Sequence, residues 1–147
     1  MKAASIDIGT NSTRLLVARI NSEGRLEALL RQAKITRLGE GLDKDRVIKP
    51  EAAKRTLDAL AEYKKILEEV KPKKVIVAAT SAVREAQNSQ DFLDQIKNRF
   101  GWQTEVLSGE TEAKLSFLGV LGNLQPPTSN LQPILVIDVG GGSTELI

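Results

Sequence analysis

The sequence predicts an α/β fold with a mixed five-stranded sheet and the element order βββαβαβα, followed by the first hairpin of a second unit. Three observations support this prediction. The first 35 residues hold three apolar runs separated by polar turns, which is typical of a strand meander. The middle of the chain alternates apolar residues at helical spacing with apolar runs of strand length. The end repeats the beginning, because residues 6–9 (IDIG) are matched by residues 137–140 (IDVG).

The three opening strands are predicted at residues 4–8, 13–20 and 25–35. Residues 9–12 (GTNS) and 21–24 (NSEG) consist of residues that favour turns, so they are predicted to connect these strands. Consecutive strands with such short connections pair in the antiparallel sense, and the opening is therefore a three-stranded meander.

A long amphipathic helix is predicted to begin at Pro50, which has no N–H to lose in the first turn of a helix. Lys71 precedes Pro72 and is biased away from helical conformation, so the helix should end there. The residues of its apolar face recur at spacings of three and four: Ala53, Leu57, Leu60, Tyr63, Leu67 and Val70. Residues 74–79 are almost continuously apolar, which predicts a central strand covered on both faces.

A second helix, a strand and a third helix complete the first domain. Ser89 is predicted to cap a helix that ends before Gly101. Residues 103–107 are predicted to form a short strand, and Ser108 should cap the helix that follows. Residues 1–122 are therefore expected to be one domain, large enough to bury its own core.

The remaining residues are predicted to be a linker and the opening of a second domain. Residues 123–133 contain three prolines and no apolar periodicity, which indicates a linker. Strands predicted at 134–137 and 144–147 flank a glycine turn, so residues 134–147 should form a hairpin. A hairpin alone is marginal in water. We therefore expect a fragment of a longer protein, or a short protein whose last hairpin packs on a partner.

The chain contains no cysteine and no histidine, which limits its chemistry. Disulfides, zinc sites built on these residues, and nucleophiles paired with histidine are excluded within it. Acid–base catalysis would therefore use carboxylates or lysines. A metal ion would be held by oxygen ligands, which favours Mg²⁺ or a similar hard divalent cation.

Charge and hydropathy exclude two classes of partner. The net charge is +2 and the aromatic content 3%, so no basic and aromatic surface for nucleic acid is expected. No apolar run reaches the roughly 20 residues of a membrane span. An acid at position 7 argues against a signal peptide, and a cytoplasmic location without a membrane partner is expected.

Two glycine-rich turns are candidate phosphate-binding elements. In residues 9–12, glycine lets an anion approach the backbone and the following side chains add donors. Taken alone, this segment is better explained as an ordinary hairpin turn. Residues 140–142 are three consecutive glycines, more than a hairpin needs. This excess indicates that the backbone itself binds the ligand, with Ser143 and Thr144 as further donors.

Paired hairpins of this kind on two domains hold phosphates in the ribonuclease H-like actin/hexokinase/Hsp70 superfamily. Together with three other motifs, they resemble the Ppx/GppA phosphatases, which are exopolyphosphatases and guanosine pentaphosphate phosphohydrolases. Thr111 departs from the family pattern, since members often carry another acid there. The five motifs follow in the family's order and cover nearly the whole chain: residues 5–16, 37–42 (RLGEGL), 79–88 (ATSAVREAQN), 107–113 (LSGETEA) and 138–145 (DVGGGSTE).

The resemblance implies a metal-assisted hydrolysis of phosphoanhydrides. It implies Glu112 as the general base and Glu145 as a second acid that positions water or metal. It also implies Asp7 and Asp138 as ligands of Mg²⁺, directly or through water. The residues that would bind the terminal phosphate are Gly9, Thr10, Asn11, Ser12, Arg84, Gly140, Gly141, Gly142, Ser143 and Thr144.

Some of these residues have a simpler interpretation. An acid near a helix start is often only favoured by the helix dipole, which is the alternative for Glu112. Ser116 and Gly119 follow it on the same helix face, which would be small and polar like the wall of a cleft. Arg84 could instead pair with a neighbouring acid, Glu85 or Asp91.

The expected substrate is inorganic polyphosphate, guanosine pentaphosphate, or both, with release of orthophosphate. The resemblance implies a homodimer for the full-length protein, and the 147-residue chain alone is expected to be weakly active or inactive. Two other classes stay open. One is a sugar or acetate kinase of the same superfamily, in which both turns would hold ATP. The other is a non-catalytic phosphate-binding module.

Overall fold

A computed structural model describes residues 1–122 and 135–147 of the protein, except for the side chain of Glu145. The chain opens with the predicted antiparallel meander of β1 (Lys2–Ile8), β2 (Ser12–Ile20) and β3 (Leu26–Ile35). The turn between β2 and β3 is closed by Asn21, whose side-chain oxygen accepts hydrogen bonds from two backbone N–H groups of the turn. This asparagine explains why the connection is so short.

Two further strands, β4 (Lys74–Ala79) and β5 (Thr104–Val106), complete the predicted mixed sheet of five strands. The strand order is β3-β2-β1-β4-β5, in which β1, β4 and β5 run parallel to one another. The carboxyl ends of these three strands therefore lie along one edge of the sheet. The segments that follow the three strands meet at this edge, which is where α/β proteins bind ligands.

The two long predicted helices and the final one are present. Of the five described helices, α1 (Leu42–Asp45) and α3 (Ser81–Glu85) were not predicted, because single turns show no apolar periodicity. The others are α2 (Pro50–Val70), α4 (Ser89–Phe100) and α5 (Gly109–Leu121). No helix among the described residues has the combination of length and hydropathy needed to cross a bilayer.

The helix ends follow the sequence signals with one exception. Pro50 occupies the first turn of α2, and Gly101 ends α4 with a φ of 73°. The prediction that Ser89 caps α4 is wrong, because the N-cap is Asn88. The amide of Asn88 does not cap the helix either, since it forms two hydrogen bonds with the backbone of Ile48, at 2.8 and 3.0 Å.

The hydrophobic core lies between one face of the sheet and the helices α2 and α4. Tyr63 of α2 is fully buried and its hydroxyl donates a hydrogen bond of 2.8 Å to the carbonyl of Thr13. The predicted coverage of β4 on both faces is wrong for the described residues, because Ile76 in its centre is 47% exposed. The main aliphatic and aromatic core residues are Ile6, Ile8, Leu15, Val17, Leu57, Leu60, Val77, Phe92 and Ile96.

A separate two-stranded sheet ends the chain. Its strands are β6 (Ile137–Val139) and β7 (Thr144–Leu146), which pair in the antiparallel sense with Asp138 opposite Glu145. The first strand was predicted at 134–137, but it continues to Val139 because the residues after 137 pair with β7. The predicted linker lies outside the described residues, and the opening of a second domain stays a prediction.

Candidate active site

The two glycine-rich turns have the same backbone geometry. The Gly9 N–H donates to the carbonyl of Ser12 at 3.0 Å, and the Gly140 N–H donates to the carbonyl of Ser143 at 2.9 Å. A Cβ added to either glycine would lie 3.0 or 3.1 Å from that same carbonyl oxygen. The repeated sequence pattern is therefore a repeated structure, and both turns need glycine for the same steric reason.

The two turns also contact each other. A Cβ on Gly141 would lie 2.8 Å from the Cβ of Asn11. A Cβ on Gly142 would lie 2.9 Å from Thr10 Oγ1 and 3.0 Å from Ser81 Oγ. This close approach of two backbones accounts for the run of three glycines, and it brings the two predicted phosphate-binding turns together at one site.

Ser81 is a site residue that the sequence analysis did not identify. It is buried at the start of α3, directly after β4, and its Oγ shares a hydrogen bond of 2.7 Å with Thr10 Oγ1. The hydrogen bond between these two hydroxyls therefore joins the segments that follow the parallel strands β1 and β4. The sequence feature that could have identified Ser81 is the pair of hydroxyl residues, Thr80 and Ser81, directly after the apolar strand predicted at 74–79.

The loop after β3 holds the first turn through backbone hydrogen bonds. The N–H groups of Thr36 and Arg37 donate to the carbonyl of Asn11 at 3.0 and 2.9 Å. The N–H of Gly39 donates to the carbonyl of Thr10 at 3.0 Å. Arg37 adopts a left-handed conformation with a φ of 47°, which directs the loop toward the turn.

The side chain that orders this loop belongs to Arg55 of α2, which the sequence analysis did not single out. Its Nε donates to the carbonyl of Thr36 at 2.8 Å, and its Nη2 pairs with Glu40 at 2.7 Å. Arg37 contributes its backbone N–H instead. The signal for Arg55 was weak, because a charged residue on a helix is most often a solvated one.

Glu112, the predicted base, lies half-buried in the first turns of α5. Ser108 caps this helix as predicted, since its hydroxyl accepts from the N–H of Thr111. One guanidinium nitrogen of Arg84 donates both to Glu112 Oε2 at 3.1 Å and to the carbonyl of Leu107 at 2.7 Å. The exposed fractions of the Arg84 and Glu112 side chains are only 28% and 16%, so the pair is partly shielded from water.

This contact differs from the simpler interpretation of Arg84, which paired it with Glu85 or Asp91. Its acidic partner is Glu112 across the fold, whereas the adjacent Glu85 pairs with Arg46 at 3.6 Å. The guanidinium therefore stands beside the candidate base, and its predicted contact with a phosphate stays a prediction.

Asp138 of the second hairpin is connected to the same helix. The hydroxyl of Ser116, one turn after Glu112, donates a short hydrogen bond to Asp138 Oδ2. Ser116 therefore lies on the face predicted for it, whereas Gly119 is exposed.

The electrostatic surroundings of Asp7 connect the two predicted metal ligands. Burial raises the pKa of Asp7 above its ordinary value, the charge of Arg14 opposes this rise, and the charge of Asp138 adds to it. Asp7 and Arg14 are directly opposite in the β1–β2 register. The two aspartates are therefore close enough to repel each other, which a cation between them would relieve.

The donor set of the site fits Mg²⁺. No group of three or more acidic, cysteine or histidine side chains suited to a metal occurs in the parts of the chain that the structure describes. Mg²⁺ does not need one, because it usually keeps several waters and binds through one or two carboxylates and substrate phosphates. Asp7 and Asp138 supply this number of carboxylates.

Asp7 also borders a cavity of about 480 Å³ on the open face of the sheet. Asp7, two residues before Gly9, is therefore next to the first turn and also borders an accessible surface. The lining residues are Ser5, Asp7, Arg14, Leu15, Leu16, Arg31, Gln32 and Ala33.

The other predicted site residues lie at the starts of the second strands of the two hairpins. Ser12 begins β2 and Thr144 begins β7, and both are therefore next to the turns. Ser143 completes the second turn with its carbonyl. The backbone of Glu145 pairs with that of Asp138, but its side chain lies outside the description, so its catalytic role stays a prediction.

Comparison with known proteins agrees with the motifs. Exopolyphosphatase 2 of Mycobacterium tuberculosis is 38% identical over 154 residues, which cover 99% of this chain and 47% of that protein. A bifunctional 3-dehydroquinate synthase/phosphatase of Fusobacterium nucleatum is 36% identical over 148 residues, 97% of this chain and 22% of that protein. The chain thus spans less than half the length of these relatives.

The crystal structure of an exopolyphosphatase from Cytophaga hutchinsonii has the same fold, with a TM-score of 0.89 and 36% identity, over 100% of this chain and 46% of that one. This likeness and the mixed sheet support the predicted α/β fold of ribonuclease H-like, actin-like type. The sequence model of the Ppx/GppA phosphatase family matches residues 16–147. The chain belongs to the Ppx/GppA phosphatase family.

Proposed function

We propose that this chain forms the phosphate-binding half of an exopolyphosphatase that releases terminal orthophosphate from inorganic polyphosphate. The observation that carries the proposal is the contact between the two glycine turns, with the Gly142 Cβ position 2.9 Å from Thr10 Oγ1. The hydroxyls of Thr10 and Ser81 lie at this contact, and Asp7 and Asp138 belong to the two hairpins that make it. The Glu112–Arg84 ion pair joins the segments that follow β4 and β5 at the same edge of the sheet. Two relatives named exopolyphosphatase match 99% and 100% of the chain, at 38% and 36% identity.

In the proposed mechanism, the terminal phosphate binds between the two turns. Backbone N–H groups of both turns and the hydroxyls of Thr10, Ser12 and Ser143 would donate to its oxygens. Preorganised donors of this kind stabilise the charge that develops on a phosphoryl group at little reorganisation cost. Their rigidity here comes from the turn hydrogen bonds and from the loop ordered by Arg55.

Asp7 and Asp138 would hold the divalent cation, directly or through water. When bound, Mg²⁺ neutralises charge on the phosphate oxygens. The two carboxylates come from different hairpins, so the cation would also hold the turns together.

Glu112 would orient and deprotonate the attacking water. The water oxygen forms a bond to the terminal phosphorus, its proton passes to Glu112, and the bridging P–O bond breaks as the shortened chain leaves. Arg84 would hold the carboxylate of Glu112 in place through their ion pair and contact the phosphate with its remaining N–H groups. Glu145 would assist in positioning water or metal.

Guanosine pentaphosphate is a second proposed substrate, because its terminal phosphoanhydride presents the same group to the two turns. The family match favours hydrolysis over transfer to a sugar or acid acceptor. Since the chain spans 47% of the mycobacterial relative, we further propose that the 147 residues alone bind substrate but turn it over weakly or not at all.

The test is phosphate release by the product of the complete reading frame with Mg²⁺. Polyphosphate, guanosine pentaphosphate, and ATP with a panel of sugar and acid acceptors are compared, and the 147-residue chain is assayed in parallel. Release from polyphosphate or the pentaphosphate is expected. Phosphate transfer from ATP to an acceptor, without hydrolysis of the other two, would refute the proposal.

A further inference from the structure

The helix α5 makes polar contacts from its half-buried face. None of its residues is buried, and Leu115 and Leu118 are 51% and 53% exposed. Its half-buried residues include Ala113 and Phe117 and two polar residues four positions apart, Glu112 and Ser116. Because no residue of the helix is fully buried, the hydrogen bonds of the two polar residues contribute to fixing it.

The two polar residues connect α5 to different units. Glu112 pairs with Arg84 of α3, which is part of the first domain. Ser116 donates to Oδ2 of Asp138, which is part of the second hairpin. The spacing of one helical turn therefore places the candidate base and the hydrogen bond to Asp138 on a single rigid element.

We propose that Ser116 is a positioning residue for Asp138: its hydroxyl fixes the rotation of this carboxylate so that the cation is held at a defined place relative to Glu112. The inference rests on the proposed function, because it takes Asp138 as a metal ligand. A hydrogen bond to one carboxylate oxygen sets the direction of the other oxygen, and partners of this kind orient metal ligands throughout proteins. Ser116 itself contacts neither the metal nor the substrate.

The test is the affinity of the 147-residue chain for Mn²⁺ alone, measured by electron paramagnetic resonance, which reports the free ion. Ser116→Ala is expected to weaken Mn²⁺ binding about tenfold or more, the usual effect of removing such a partner. Ser116→Thr keeps the hydroxyl and should bind within about threefold of wild type. Alanine favours helices more than serine does, so the variant is expected to fold.

Ser22→Ala, in the exposed turn between β2 and β3, is the matched control and should leave Mn²⁺ affinity unchanged. Asp138→Asn should abolish binding. Equal affinities of Ser116→Ala and wild type would overturn the positioning role and leave the proposed function standing. Equal weakening by Ala and Thr would also overturn it, since the hydroxyl would not be the cause. Failure of the wild type to bind Mn²⁺, or normal binding by Asp138→Asn, would overturn both.

Discussion

At the scale of single residues, the site depends on Gly142, where a side chain would not fit. Gly142 does not have a positive φ, so conformational freedom is not the reason for glycine there. The reason is the pair of hydroxyls beneath it, from Thr10 and Ser81, which a Cβ would meet at 2.9 and 3.0 Å. The contact between the two turns therefore depends on the absence of a Cβ at Gly142, as it does at Gly141.

Gly142→Ala is expected to separate the turns and to lower the affinity of the chain for tripolyphosphate by about tenfold, as expected for misplaced donors. Binding is measured by isothermal titration calorimetry. Gly109→Ala is the matched control, since a Cβ there meets nothing within 4 Å. Unchanged affinity in Gly142→Ala would show that the contact between the turns does not form the binding site.

Tyr63, the only tyrosine of the chain, gives a second residue-scale prediction. Burial raises its pKa above the ordinary value of 10.0, and the charge of Glu62 adds to the rise. The Tyr63 hydroxyl therefore loses its proton at a lower pH in the unfolded chain than in the folded one. Its contribution to the free energy of unfolding is fully present below pH 10.0 and is lost as the pH rises through the higher pKa of the folded state.

Tyrosinate absorbance should accordingly appear at higher pH in the native chain than in urea. Tyr63→Phe should lose about 1 kcal/mol at neutral pH, because the hydrogen bond to Thr13 is removed. The stability of this variant should also vary less with pH above 10.0. Identical absorbance titrations of native and unfolded wild type would contradict the burial argument.

At the scale of elements, long periodic segments were predictable and single turns were not. Five of the six residues predicted for the apolar face of α2 are buried, since a helix of 21 residues repeats its pattern several times. The one-turn helices α1 and α3 are too short for an apolar pattern to repeat within them. The cap of α4 was misassigned because a sequence does not show that the amide of Asn88 is occupied by Ile48.

The cap of α5 leads to a prediction about the element that carries the base. Ser108→Ala removes the acceptor of the Thr111 N–H and should destabilise the first turn by about 1 kcal/mol, which would speed exchange of that amide about fivefold. Hydrogen exchange followed by NMR measures it, with Ser108→Asp as the variant that keeps a cap. Ser89→Ala is the control, because Ser89 does not cap α4. Equal protection in all three variants would show that α5 does not depend on its cap.

At the scale of the whole molecule, sheet topology assembles the site. Because β1, β4 and β5 are parallel, the Gly9 turn, the Ser81–Arg84 segment and the start of α5 meet at one edge of the sheet. The sequence motifs were sufficient to identify most residues at this edge. They could not show which of them touch, and so Ser81, Arg55 and the Ser116–Asp138 bond emerged only from the three-dimensional arrangement.

The most direct test of the account is the hydrolytic rate of Glu112→Gln in the product of the complete reading frame. Glutamine keeps an acceptor for Arg84, so the geometry of α5 should survive while the base is lost. We predict that polyphosphate hydrolysis falls roughly 10²- to 10⁴-fold, the usual contribution of a general base, with substrate affinity nearly unchanged. A rate within a few fold of wild type would contradict the assignment of Glu112 as the base.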